Sequence, residues 1–178
     1  MIAFKGFNKL LQCTRGNGIF QYEIGKSYEE DEANCAQNGL HCVEEPIRVL
    51  DWYEDGRWCM VDVQDYHEDG TNKISAKKMK ILKEVNLHQL MAHEVAWMIR
   101  NPERECSERI QRERGRASKN GAVIVRGKNP KAQGEKGSLI MLVKEKKGTR
   151  EVERVTAYVV DGETILPGKW YGSEAEEC

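Results

Sequence analysis

The stretch KNGAVIVRG (119–127), KNPKAQGE (128–135), KGSLIMLV (136–143) reads as three consecutive copies of one short unit. Each copy opens on a lysine followed by Asn or Gly, which is turn chemistry, and closes on a short strand-like run. A spacing of eight or nine residues is too short for a helical repeat and suits one turn plus one strand. The pattern therefore predicts a β-rich region of short, solenoid-like repeats. So small a unit cannot bury an apolar face alone and needs neighbours, in its own chain or in other copies. Pro130 has no amide to give a ladder, so the middle copy is predicted to leave the stack short or open-edged.

Outward from the repeats, Leu139 to Val143 is expected to pair with Val152 to Val160 across a charged turn, with Ile165 to Tyr171 as a closing cap. Unpaired edges in so short a stack predict a homo-oligomer, with Leu139, Met141, Trp170 and Tyr171 at the interface between copies. Upstream, residues 103–116 (ERECSERIQRERGR) carry both signs of charge and read as an exposed helix or a linker. Leu87, Leu90, Met91, Val95 and Met98 recur at helical spacing behind Asn86 as a helix cap, within a helical stretch placed between Ile74 and Ile99. The polar run QDYHEDGTNK (64–73) predicts a loop. Strand signals lie at Ile2 to Phe4, Ile19 to Ile24, Leu40 to Val43 and Trp58 to Val63. Asn38-Gly39 marks a turn, and Pro46 opens a short helix running to Tyr53. The expected fold class is α+β: a mixed N-terminal domain (1–85), a helical connector (86–116), a β-rich repeat domain (117–172) and a disordered tail (173–178).

The 178 residues carry a net charge of only −1, which argues against a broad electrostatic grip on nucleic acid. No apolar run approaches a membrane span and the N-terminus lacks a leader-like core, so a soluble, cytoplasmic protein is expected. Cys13, Cys35, Cys42, Cys59, Cys106 and Cys178 are then expected as reduced thiols.

Phe4-Lys5-Gly6-Phe7, Phe20-Gln21-Tyr22-Glu23 with Gly25-Lys26 and Tyr28, Cys35, Asn38-Gly39-Leu40-His41-Cys42 and Pro46 form a set. So do Val160-Asp161-Gly162 and Lys169-Trp170-Tyr171 near the other end. Together they resemble a family of uncharacterised proteins encoded by bacteriophages and prophages. That resemblance implies a mobile-element origin and a bacterial host cell, and little chemistry.

Two chemical readings compete with a plain binding role. Cys13, Cys35, His41 and Cys42 are the residue types of a zinc site, although the chain has no C-x-x-C and buried thiols explain them equally. Phe4-Lys5-Gly6, followed by Asn38-Gly39-Leu40-His41 and a helix with Tyr53, is similar in layout to an ADP-ribosyltransferase. Such an enzyme would work through Tyr28, His41 and Tyr53. Lys5 stands there where Arg or His is usual, His41 where Tyr is common, and no glutamate is well placed. The first expectation is thus a non-enzymatic binding protein acting against host immunity. Its partner would be a host protein or a small nucleotide signal, with no cofactor. The alternatives are that enzyme or a structural assembly component.

Overall fold

The computed structural model describes residues 1–14, 18–35, 37–68, 70 and 72–174. It divides the chain between Asn86 and Leu87 into two units, each with its own sheet. In chain order the first unit holds β1 (Ile2–Phe7), β2 (Gln12–Cys13), β3 (Phe20–Gln21), β4 (Ser27–Glu29) and β5 (Leu40–Val43). A 3-10 helix (Pro46–Asp51), β6 (Arg57–Glu68) and β7 (Lys73–Val85) complete it. The second unit holds α1 (Leu87–Arg100), β8 (Gln111–Ala117), β9 (Ala122–Gly134), β10 (Leu139–Glu145) and β11 (Val152–Val159).

The first sheet closes on itself. β1 pairs with β5 and with β6, β5 pairs with β7, and the long β6–β7 hairpin joins the two ends. All of these pairs are antiparallel. On its other side β7 receives β5 at residues 73–76 and β4 at 78–80, so two short strands share one long partner. Closure leaves no long open edge on the ring and encloses a core of Ala3, Phe7, Tyr22, Leu40, Cys42, Val61, Val63, Ile74, Met79 and Ile81.

The second unit is a four-stranded sheet in the order β11-β10-β9-β8, with α1 lying against β9, β10 and β11. β8, β9 and β10 run parallel, and β11 returns antiparallel to β10. The first and third copies of the repeat stack in register, with Ala122 beside Leu139 and Val125 beside Leu142. The middle copy stacks instead on residues before the repeat, Lys131 beside Arg114 and Gly134 beside Ala117. In these pairs the partners are seventeen residues apart, two units rather than one. The connecting turns stack too: Glu135 N–H donates to Ala117 O and Leu139 N–H to Gly121 O.

At the corner of β9, four residues (127–130) face a single residue of β8, Glu113, whose φ is +60°. The Glu113 carboxylate accepts from the amides of Lys128 (2.9 Å) and Asn129 (3.1 Å), and Pro130 has no amide to leave unpaired. The proline thus sits where the ladder is already broken. Glu113→Ala removes a charged acceptor from two amides and should lower stability by about 1.5–3 kcal/mol in urea unfolding. A variant as stable as the parent would show that the corner does not need the carboxylate.

The α+β expectation with a helical middle is overturned: among the described residues three sheets dominate, with one α-helix and one 3-10 helix. Ile74 to Val85 is strand, because a spacing of two and three between Ile74, Ala76, Met79 and Ile81 imitates helical periodicity. The charged run 103–116 contains β8, whose inward positions Gly115 and Ala117 are too small to betray alternation. The expected loop 64–73 is mostly hairpin strand, reaching Glu68 on one side and resuming at Lys73. The expected strand at 19–24 shrinks to Phe20–Gln21. The helix behind Pro46 and the β10–β11 hairpin stand where they were expected. Part of the expected tail, residues 175–178 with Cys178, lies outside the described residues. No helix among the described residues is long and apolar enough to cross a membrane.

Candidate functional site

Alternation along β1 puts Lys5 on the same face as Ala3 and Phe7, the face that lines the core of the closed sheet. Lys5 is only 4% exposed. Its Nζ donates to His41 O on β5 at 2.6 Å and lies 5.6 Å and 5.2 Å from the ring centres of Phe7 and Tyr22. No carboxylate pairs with it among the described residues. Burial holds its pKa below the usual 10.5, against an opposing pull from Cys13 and Cys42.

Next to Lys5 opens a cavity of about 350 Å³. Phe4, Lys5, Cys42, Val43 and Val49 form its buried part; Gln37, His41, Trp52, Tyr53 and Lys73 are its more exposed lining. None of the described lining residues is acidic. Trp52, 37% exposed, carries the Lys73 ammonium 4.2 Å from its ring centre. Tyr53 is held from two sides: its hydroxyl accepts from Thr14 N–H (2.9 Å) and contacts Cys13 Sγ (3.7 Å), while its carbonyl accepts from Trp58 Nε1 (2.7 Å).

The motif residues each do local work here. Gly6 leaves room for Tyr53, whose Cδ2 would stand 2.9 Å from a β-carbon at that position. Phe7 packs on Tyr22 at 5.1 Å. Gly39, at φ +89°, turns the chain into β5 against Ser75 Oγ, which a β-carbon would meet at 2.4 Å. Gly39→Ala should therefore cost about 2 kcal/mol, from left-handed backbone and overpacking together. Thermal melting checks this, and an unchanged midpoint would refute it.

The residues expected to act together are only partly assembled. His41 and Tyr53 line the cavity; Tyr28 does not. Its ring packs on Phe20 and Tyr22, and its hydroxyl accepts from Glu23 N–H at 2.7 Å. Cys13, His41 and Cys42 line the cavity, whereas Cys35 Sγ is directed to the carbonyls of His67 and Lys73. Among the described residues no group of three or more His, Cys, Asp or Glu could hold a metal ion. Burial pushes the Cys42 thiol up to about 12, with nearby Lys5 opposing, and that of Cys59 likewise to about 12. Both stay protonated at neutral pH and act as small apolar side chains. Cys13, Cys35, Cys42, Cys59 and Cys106 are all thiols.

Of the expected interface residues, Leu139, Met141 and Tyr171 are buried within the second unit, Tyr171 through a backbone bridge to Ala132. Trp170 keeps exposed surface and lies under the guanidinium groups of Arg114 and Arg116. Trp52 and Lys73 are absent from the expected site residues, and Lys5 enters there only as a departure from the ADP-ribosyltransferase layout. For Lys5 the signal was present: a lysine between Ala3 and Phe7 on the inward face of a strand.

Closed sheet and cavity together define a small β-barrel-like domain with a basic, aromatic-lined pocket. Residues 1–93 match the model of a domain of unknown function, DUF7666, and the chain belongs to that family. Comparison with curated proteins and with solved structures gave no match.

Proposed function

We propose that the N-terminal unit is a binding module that captures a small, flat, anionic molecule. The observation that carries this reading is a cavity of about 350 Å³ whose charged lining is basic and whose rim is aromatic. The volume lies within the ordinary range for small-ligand sites. Trp52 and Tyr53 offer faces for a ring, Lys73 offers a cation to an acidic group, and Lys5 offers a donor at the buried end. A small nucleotide signal has this chemistry. Its sequestration is the form in which a phage-encoded protein of this kind would act against host immunity.

Calorimetry tests the reading with pyridoxine phosphate and AMP as flat anions and pyridoxine as the uncharged control. The phosphate compounds should bind and pyridoxine should not. Lys73→Ala and Trp52→Ala should each weaken binding roughly tenfold, equivalent to about 1.4 kcal/mol. Equal binding of charged and uncharged probes, or none at all, would defeat the proposal.

A further inference from the structure

Lys5 poses a chemical question that binding alone does not answer. A positive charge is costly to bury, and buried lysines normally have an acidic partner. Here the partner is the carbonyl oxygen of His41. Its described surroundings include the rings of Phe7 and Tyr22 and the thiols of Cys13 and Cys42. Methionine would fill the same space without the cost. If the cavity needed only a cation, Lys73 at the rim already supplies one.

A primary amine in a largely apolar cavity has another capacity. Burial favours its neutral form, and the neutral amine is a nucleophile toward carbonyl carbon. Lys5 lines the same cavity as Trp52, Tyr53 and Lys73, so one ligand in that cavity can meet both the rim cation and the Lys5 amine. Cys42, the other buried nucleophile in the lining, is held as a neutral thiol.

We propose that Lys5 captures flat anionic aldehydes and ketones as a reversible imine. The inference rests on the flat-anion reading above and narrows it to carbonyl compounds. Nζ bonds to the carbonyl carbon, two protons leave the nitrogen, the carbon–oxygen bond breaks, and one water departs. No oxidant or reductant is consumed. Hydrolysis reverses the step, so capture is binding rather than turnover.

The test uses the intact wild-type chain with one equivalent of pyridoxal phosphate as probe, trapped with cyanoborohydride and mapped by peptide mass spectrometry. Lys5 should carry the reduced adduct in at least tenfold excess over any other lysine. Pyridoxine phosphate, which lacks the carbonyl, should protect Lys5 without forming an adduct. In a Lys5→Arg variant that excess should vanish; because the wild-type map stands alone, a folding failure of the variant leaves the result intact. Labelling spread evenly over surface lysines would overturn the imine. If pyridoxine phosphate still bound by calorimetry, the flat-anion site would survive that result. If it did not bind, both readings would fall together.

Discussion

Lys5→Met should make the protein more stable and make its pocket fail. Methionine matches the length and volume of the lysine stem and carries no charge into the core. Replacing buried ionic groups by apolar ones of similar size stabilises by about 1–4 kcal/mol in favourable cases. The gain should depend on pH in a defined direction. With a folded pKa below the usual 10.5, Lys5 binds fewer protons in the folded state than in the unfolded state across that interval. Wild-type stability therefore rises with pH there. The advantage of the variant should be complete below the folded pKa and should vanish as pH approaches 10.5. Cys42 and Cys59 act oppositely: their raised values remove stability as pH climbs above the ordinary thiol value of 9.0. Only the difference between wild type and variant isolates Lys5. Binding of flat anions should fall by up to roughly tenfold, from loss of a hydrogen-bond donor worth about 0.5–1.5 kcal/mol. A destabilised variant that still binds would make Lys5 a structural residue.

Arg126→Met should have the opposite consequence for the second unit. Arg126 is fully buried, and its guanidinium donates to Glu145 Oε1 (2.9 Å), Cys106 Sγ (3.1 Å), Pro102 O (3.0 Å) and the carbonyl of Arg150. One side chain thereby ties the loop after α1 to the end of β10 and to the β10–β11 turn. Its removal leaves Glu145, itself 6% exposed, with Arg112 as its remaining partner. Loss of one member of a buried pair costs about 3–5 kcal/mol. Lysine should not rescue it, because a single ammonium cannot reproduce the planar fork that meets four acceptors. Guanidinium unfolding would show the effect, and a loss below about 1 kcal/mol would mean that Glu145 finds other partners.

The contrast between these residues also shows what the sequence could tell. Turn chemistry was legible: Asn38-Gly39, the entry at Pro46 and the β10–β11 hairpin are local signals and stand where expected. Helix against strand was not legible in Lys73–Val85, where the paired lysines Lys77-Lys78 disturb the alternation, nor in β8, where the buried face is Gly115 and Ala117. The period of the repeat was misread for a non-local reason. A β9 strand bent at residues 127–130, opposite Glu113 of β8, serves β10 with its first half and chiefly β8 with its second, which doubles the spacing of stacked residues. His41, Tyr53, Cys13 and Cys42 were singled out from sequence, and all four line the cavity. Trp52 and Lys73 escaped notice because they come from distant segments and meet only when β5 pairs with β7.

The proposed function of this protein rests on a ligand site in the pocket beside Lys5. Titration of the isotope-labelled intact chain with pyridoxine phosphate, followed by proton–nitrogen correlation NMR, tests that directly. Saturable shifts are expected at Lys5, Gly6, Cys42, Val43, Trp52 and Tyr53, with unchanged amides along β8 to β11. Shifts confined to β8 to β11, or none at saturating probe, would contradict it.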